Sequence, residues 1–168
     1  MFRLLIIIIS SITVFSLSTQ VIQATESGKV VIKETDTYVE YKIKGVYEDI
    51  REDIEFAITG TGIKINTIAH TGDMLIRTGK DIGATKLIFK HAEAFEFCSA
   101  KVSRASMEAD PRNFIFCPYI IYVYQLGTDK GIVYVSYRRP SYGASKKSDK
   151  ALKGIEKLLK EIISEAIG

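Results

Sequence analysis

The sequence predicts an α+β fold, in which amphipathic helices cover a mixed or antiparallel sheet of about five strands and a C-terminal hairpin leads into a last helix. Three observations predict it. Tyr38–Lys44 alternates large and charged residues with a period of two, as a half-buried strand does. Tyr119–Leu126 and residues 132–137 flank a five-residue turn and form an antiparallel hairpin. Apolar residues recur at helical spacing over residues 152–166.

Composition and charge fit one globular domain. The chain has 168 residues, of which 46% are hydrophobic and 26% are charged, so it can bury an ordinary core. Its formal charge of +3 comes from 23 basic and 20 acidic residues spread along the chain. Because a nucleic-acid-binding protein concentrates positive charge, this balance argues against a nucleic-acid partner.

The N-terminus has the pattern of an export signal. Arg3 precedes an apolar run that ends at Phe15, which is too short for a comfortable membrane span, and a polar stretch ends at Ala24. We expect a signal peptide over residues 1–24 and a single α+β domain over residues 25–168, located in the periplasm or secreted. An uncleaved N-terminal anchor is the alternative, because Ile22 is bulkier than the usual small residue of a cleavage site.

Strand and helix patterns alternate through the first half of the chain. The first strand begins at Tyr38, or as early as Val30, and ends before Gly45. Three further elements are predicted: a helix over residues 46–58, a strand over residues 63–68 and a short helix over residues 73–80. The segment 83–93 is ambiguous, because an apolar run this short fits a helical turn or a strand equally well.

The second half contains the most apolar elements. Residues 94–98 alternate as a strand does, and a helix follows with Ser99 as its N-cap and Pro111 as its stop. Tyr119–Leu126 is almost continuously apolar, which predicts a central strand buried on both faces. After the hairpin, residues 145–149 form a polar approach to the last helix, whose apolar face must pack on the sheet.

These segments resemble the domain of unknown function 302 family, and more narrowly an exported branch of it that carries two cysteines. The resemblance covers the chain from Tyr38 to its C-terminus, and its distinctive motifs lie in the second half: Glu96-Phe97-Cys98, Met107-Glu108-Ala109-Asp110-Pro111, Asn113, Cys117-Pro118-Tyr119, Val123-Tyr124, Val133-Tyr134-Val135-Ser136-Tyr137-Arg138 and Pro140. The resemblance implies a compact α+β domain, a homodimer and a place near bacterial sulfur-oxidation or redox genes. It supplies no catalytic residues.

The chain has two cysteines, Cys98 and Cys117, and an even count in an exported protein indicates a disulfide. If their strands are neighbours, their Cα atoms reach the separation of about 5.5 Å that a disulfide needs. Closing that loop would stabilise the fold by about 3 kcal/mol.

A redox-active pair, a sulfur carrier, a soft-metal or persulfide site and two buried free thiols stay open as alternatives. In the redox alternative Cys98 attacks or holds a sulfur species and Cys117 resolves it. The start of the following helix would then lower the pKa of Cys98.

Other candidate residues are few. Arg138 and Arg104 are candidate ligands for a small anion, such as an oxidised sulfur species or a carboxylate. His70 and His91 could complete a metal site with the cysteines, or they are ordinary surface histidines. The alternative for the arginines is a set of solvated ion pairs with Glu96, Glu108 or Asp110.

These observations favour an exported accessory or binding domain over an enzyme. The sequence contains no P-loop, dinucleotide-binding fingerprint or nucleophile elbow, and no cofactor is predicted. The alternatives are a thiol-based redox enzyme or sulfur carrier and a soft-metal-binding module. Five tyrosines near the hairpin belong to the core or to the sheet surface, and on an uncovered face they would form the interface of a homodimer: Tyr119, Tyr122, Tyr124, Tyr134 and Tyr137.

Overall fold

The computed structural model describes residues 22–24 and 30–168. Residues 1–21 of the predicted signal peptide lie outside the described residues, and its last three residues form the first strand. The elements, in chain order, are β1 Ile22–Ala24, β2 Val30–Glu34, β3 Tyr38–Lys44, α1 Tyr47–Gly60, β4 Ile65–Ala69, α2 Thr71–Gly79, β5 Phe89–Phe97, α3 Ala100–Ala109, β6 Tyr119–Leu126, β7 Ile132–Arg138 and α4 Lys146–Ile167. Short 3-10 turns cover Lys80–Ile82 and Pro111–Phe116.

The strands form one antiparallel sheet, which confirms the predicted α+β class. Within the described residues the sheet has seven strands in the order β1-β2-β3-β7-β6-β5-β4. The β6–β7 hairpin therefore lies in the middle, as the sequence predicts. β5 is longer than the predicted strand, because its first half pairs with β6 through Ala92 and Tyr124 and so stays extended beyond the end of β4.

Helices cover only one face of this sheet. The apolar sides of α1 and α4 pack on alternate residues of the central strands, and Ile54, Leu159 and Val135 are among the fully buried members of that core. Ser99 caps α3 as predicted, since its hydroxyl accepts a hydrogen bond from the Val102 amide at 3.4 Å. Capping replaces a main-chain bond that the first turn of a helix lacks.

The opposite surface of the sheet, which we call the open face, corrects one prediction. β6 was expected to be buried on both faces, but its residues alternate between buried and half-buried. The helices lie on one side only, so the side chains of Tyr122 and Tyr124 remain half-exposed on the other side. Tyr134 stacks on Tyr124 there, with ring centres 5.1 Å apart. Tyr119 and Tyr137 belong to the core.

Candidate functional site

The pairing of β5 with β6 brings the two cysteines together. Phe97, the last residue of β5, pairs with Tyr119, the first residue of β6. Cys98 directly follows Phe97, and Cys117 lies two residues before Tyr119. Both thiols therefore lie at the same end of the sheet. Their Sγ atoms are 3.3 Å apart. The neighbouring strands on which the sequence prediction depended are therefore present.

Two hydroxyl groups complete the surroundings of the thiols. The Ser103 Oγ atom lies 3.3 Å from Cys117 Sγ and 2.8 Å from the Tyr119 hydroxyl. Ser103 lies one turn into α3, in line with its N-cap Ser99, and this helical spacing turns its hydroxyl back towards the strand ends. Sequence reasoning missed both hydroxyls as members of the site, although the Ser99–Ser103 spacing on a predicted helix was a usable signal.

Burial governs the acidity of Cys98. Partial burial, followed by the hydrogen bond to the Cys117 thiol, raises the pKa of Cys98 to about 11. The Tyr119 amide and the Ser103 hydroxyl act in the opposite direction and are outweighed. The expectation that the start of α3 lowers this pKa is wrong, because desolvation of the thiolate costs more free energy than these dipoles return.

A cavity of about 230 Å³ opens beside the cysteine pair. Pro118 lines this cavity and follows Cys117 directly, through a cis peptide bond, so the cavity wall adjoins the cysteine pair. The wall offers both polar and apolar surface. Its other residues come from the turn before β6, from β6, from the end of β7 and from α4: Ile115, Phe116, Tyr119, Ile120, Arg138, Arg139, Pro140, Ile155 and Leu159.

The two arginines of this cavity differ in their partners. Arg139 pairs with Glu34, lies 3.1 Å from Glu156 and donates to the Thr35 carbonyl at 2.9 Å, so its guanidinium is committed to the fold. Arg138 is exposed at the rim, and its guanidinium forms no ion pair or side-chain hydrogen bond within residues 22–24 and 30–168. Of the two arginines that line the cavity, Arg138 is therefore the one without an ion pair among the described residues, and it is one of the two candidate anion ligands named from the sequence.

The remaining candidate arginine lies elsewhere. Arg104 is exposed on α3 and its Nε atom is 2.7 Å from Glu108 one helical turn later. It does not line the cavity. The structure thus separates Arg104 from Arg138, and Arg104 has the solvated ion pair that the sequence left open as its alternative.

The two histidines also lie apart from the cysteines. His70 Nδ1 is 3.0 Å from a carboxylate oxygen of Glu93, and His91 stacks on the ring of Tyr47 at 4.5 Å. His91 precedes Cys98 by seven residues along extended β5, which corresponds to roughly 23 Å. The described part of the chain contains no group of three or more His, Cys, Asp or Glu residues that could hold a metal ion.

Comparison with known proteins identifies the family. The profile of the domain of unknown function DUF302 matches residues 39–167. The chain belongs to the DUF302 family. A structure titled "Crystal structure of uncharacterized conserved protein DUF302 from Bacillus stearothermophilus" superposes with a TM-score of 0.63 at 14% identity, covering 77% of this chain and 97% of that one. At that identity the likeness shows a shared fold. No protein with a curated description matches.

The DUF302 match begins in β3 and ends in α4, so β1 and β2 lie outside it. Both cysteines, Ser103 and Arg138 lie inside it. The candidate site is therefore built entirely on the DUF302 part of the chain.

The pKa of Cys98 leads to a prediction for the reduced DUF302 protein. Because the thiolate is the reactive form, the rate at which iodoacetamide alkylates Cys98 should rise about tenfold per pH unit and reach half of its maximum only near pH 11. Peptide mapping distinguishes Cys98 from Cys117. The same protein unfolded in guanidinium is the control, in which the rate should reach half of its maximum at about pH 8.5. A plateau below pH 9 in the folded protein would contradict the raised pKa.

Proposed function

We propose that this DUF302 protein is an exported accessory domain that binds a small organic anion in the cavity beside Cys98 and Cys117, and that these two cysteines form a disulfide in its compartment. The observation that carries the proposal is Arg138, a cation without a partner in the described residues at the rim of a cavity that also has apolar walls.

The lining of the cavity indicates the class of ligand. A guanidinium binds a carboxylate or an oxidised sulfur group through two parallel hydrogen bonds. Pro118 and Ile120 offer apolar contact to the remainder of the ligand. A volume of about 230 Å³ is below the usual range of drug-sized pockets, which suits a molecule of a few carbon atoms. An acid with a short apolar body meets both requirements.

The geometry of the thiols supports the disulfide. The Sγ atoms need to approach by about 1.3 Å from their 3.3 Å separation to reach the length of a disulfide bond, about 2.05 Å. In this step the two thiols lose two protons and two electrons to a disulfide oxidant of the exporting compartment. The crosslink would fix the start of α3 against the start of β6, and with them the wall of the cavity that Pro118 forms.

The thiol chemistry favours binding over catalysis. A nucleophilic or sulfur-carrying cysteine must be a thiolate, and a pKa of about 11 leaves about one Cys98 in ten thousand ionised at pH 7. A metal-binding role would require a third ligand beside the cysteines, and neither His70 nor His91 is near them. The thiol-enzyme and soft-metal alternatives therefore have less support than an accessory binding domain.

Substitution of Arg138 tests the binding site. Calorimetric titration with short-chain carboxylates, alkyl sulfonates and thiosulfate should detect a ligand for the wild-type protein. Arg138→Gln should weaken its binding by about 10-fold to 100-fold, because a charged hydrogen bond contributes about 1.5–3 kcal/mol. Arg104→Gln is the matched control and should leave binding unchanged. The proposal fails if no anion of this panel binds, or if the two variants bind equally.

We also propose that two copies of the chain pair through the open face. A groove of about 200 Å³ crosses it, with Ala92, Ala94 and Ser136 as small floor residues beside the aromatic side chains of Tyr122 and Tyr124. Small residues next to large aromatic ones on a flat sheet leave room for the same aromatic side chains of a second copy. A stable dimer needs about 800 Å² of such surface on each partner.

Light scattering after gel filtration tests the dimer. The wild-type protein should elute with the mass of a dimer, and Tyr122→Lys should elute as a monomer, because it introduces a charge where two apolar surfaces meet. Phe56→Lys, which replaces an exposed aromatic residue on α1, is the control and should remain dimeric. A monomeric wild-type protein would refute the pairing.

A further inference from the structure

Residues 74–90, which comprise most of α2 and the segment that leads into β5, expose an unusual amount of apolar surface. We call them the 74–90 surface. Ten large hydrophobic side chains are exposed in the described chain, and five of them belong to this surface: Met74, Ile76, Ile82, Leu87 and Ile88. Four of them, Ile76, Ile82, Leu87 and Ile88, line a groove of about 230 Å³ built by α2 and the segment after it. Apolar clusters of this kind mark interaction sites.

Main-chain hydrogen bonds hold this surface in place. The Ala84 amide donates to the Gly79 carbonyl at 2.8 Å, and the Gly127 amide donates to the Ile88 carbonyl at 2.9 Å. Gly83 ends the turn with a φ of 71°, a conformation that favours glycine. Because the backbone is tied to α2 and to the hairpin, the apolar side chains are presented to solvent by the fold itself.

The same surface has a net positive charge. It contains four basic residues, Arg77, Lys80, Lys86 and Lys90, and one acidic residue, Asp81, for a net charge of +3. The whole chain also has a net charge of +3, so the rest of the sequence is balanced. All four basic side chains are exposed and none forms an ion pair within the described residues.

Exposed apolar side chains next to exposed basic side chains favour one kind of partner. A second copy of the chain would place the same positive surface opposite itself, which is electrostatically unfavourable. An anionic lipid bilayer instead offers negative headgroups to the cations and an apolar layer directly beneath them to the exposed side chains. No helix in the described part of the chain is long and apolar enough to cross a bilayer.

We propose that the 74–90 surface binds the headgroup region of an anionic phospholipid membrane. Ile82, Leu87 and Ile88 insert between the headgroups, while Lys80 and Lys86 contact lipid phosphates. The candidate anion cavity lies at the other end of β6, since Leu126 pairs with Phe89 at one end and Tyr119 with Phe97 at the other. The domain would thus dock on a membrane surface with its ligand cavity directed away from the lipid.

A tryptophan reporter tests this binding in the full chain, because the sequence contains no tryptophan. Ile82→Trp places the reporter on the 74–90 surface. Ile115→Trp is the matched control, since the two parent residues are 78% and 77% exposed and lie on different surfaces. Both variants keep the same apolar N-terminal segment, so any lipid binding by that segment is common to them.

With phosphatidylglycerol vesicles, the fluorescence of the Ile82→Trp protein should shift to shorter wavelength and should be quenched by brominated acyl chains. The Ile115→Trp control should show neither change. Vesicles of phosphatidylcholine should give no effect with the Ile82→Trp protein, and 1 M salt should abolish the effect, because it reduces the screening length to about 3 Å. Adding Lys80→Gln and Lys86→Gln to the reporter protein should lower its partition constant by roughly 25-fold, since each cation near an anionic surface contributes roughly fivefold.

Three results would overturn the proposal. One is a fluorescence spectrum of the Ile82→Trp protein that phosphatidylglycerol vesicles do not shift, or shift without quenching by brominated acyl chains; an unshifted spectrum is also the result expected if the surface binds an acidic protein instead of lipid. Another is equal quenching of the Ile82→Trp and Ile115→Trp proteins. The third is equal insertion into phosphatidylglycerol and phosphatidylcholine vesicles, which would remove the role of charge.

Discussion

The antiparallel pairing of β5 with β6 is the constraint on which the candidate site depends. Its register places Phe97 opposite Tyr119 and therefore brings the chain on either side of α3 to one point. Hydrogen bonds outside the sheet also hold the segment that connects β5 with β6. Asn113 donates from Nδ2 to the Ser106 carbonyl at 3.0 Å and accepts from the Ser148 hydroxyl at 2.9 Å. Because these groups are buried, they bind the turn before Cys117 to α3 and α4.

The second determinant is that helices cover only one face of the sheet. All of the long helices contribute to one core, so the other face of the central strands keeps half-exposed tyrosines and a shallow groove. The cysteine pair, the open face and the 74–90 surface consequently lie at different places on the sheet. If the proposals hold, a small domain separates ligand binding, self-association and membrane contact in this way, and a substitution at one place tests one of them.

Local patterns were sufficient to predict most elements of the fold. The period of two in Tyr38–Lys44, the helical spacing in α4 and the five-residue hairpin turn all depend on residues close in sequence, and each corresponds to an observed element. Features that depend on distant residues were missed. The first half of β5 is extended because β6 lies beside it, and the exposure of Tyr122 follows from the side on which the helices pack. Neither feature can be predicted from the residues of its own strand alone.

In the candidate site, too, features set by residue type were predicted and features set by distant residues were missed. The sequence singled out Cys98 and Cys117 by residue type and compartment, and it named Arg138 and Arg104 together as candidate anion ligands. It could not show that Arg104 pairs with Glu108 away from the cavity. The redox alternative relied on a lowered pKa of Cys98, but burial of that thiol, a tertiary property, raises it. A sequence can predict that a thiol lies at the start of a helix, whereas the desolvation of that thiol is known only from the packed structure.

The central claim is that Cys98 and Cys117 form a disulfide that supports the cavity wall. It is tested most directly by the intact mass of the protein, isolated without reductant and treated with iodoacetamide in denaturant. The account predicts a protein with no alkylated cysteine and a mass lower by two hydrogen atoms, and reduction before alkylation should then add two carbamidomethyl groups. Two alkylated cysteines in the protein isolated without reductant would contradict it.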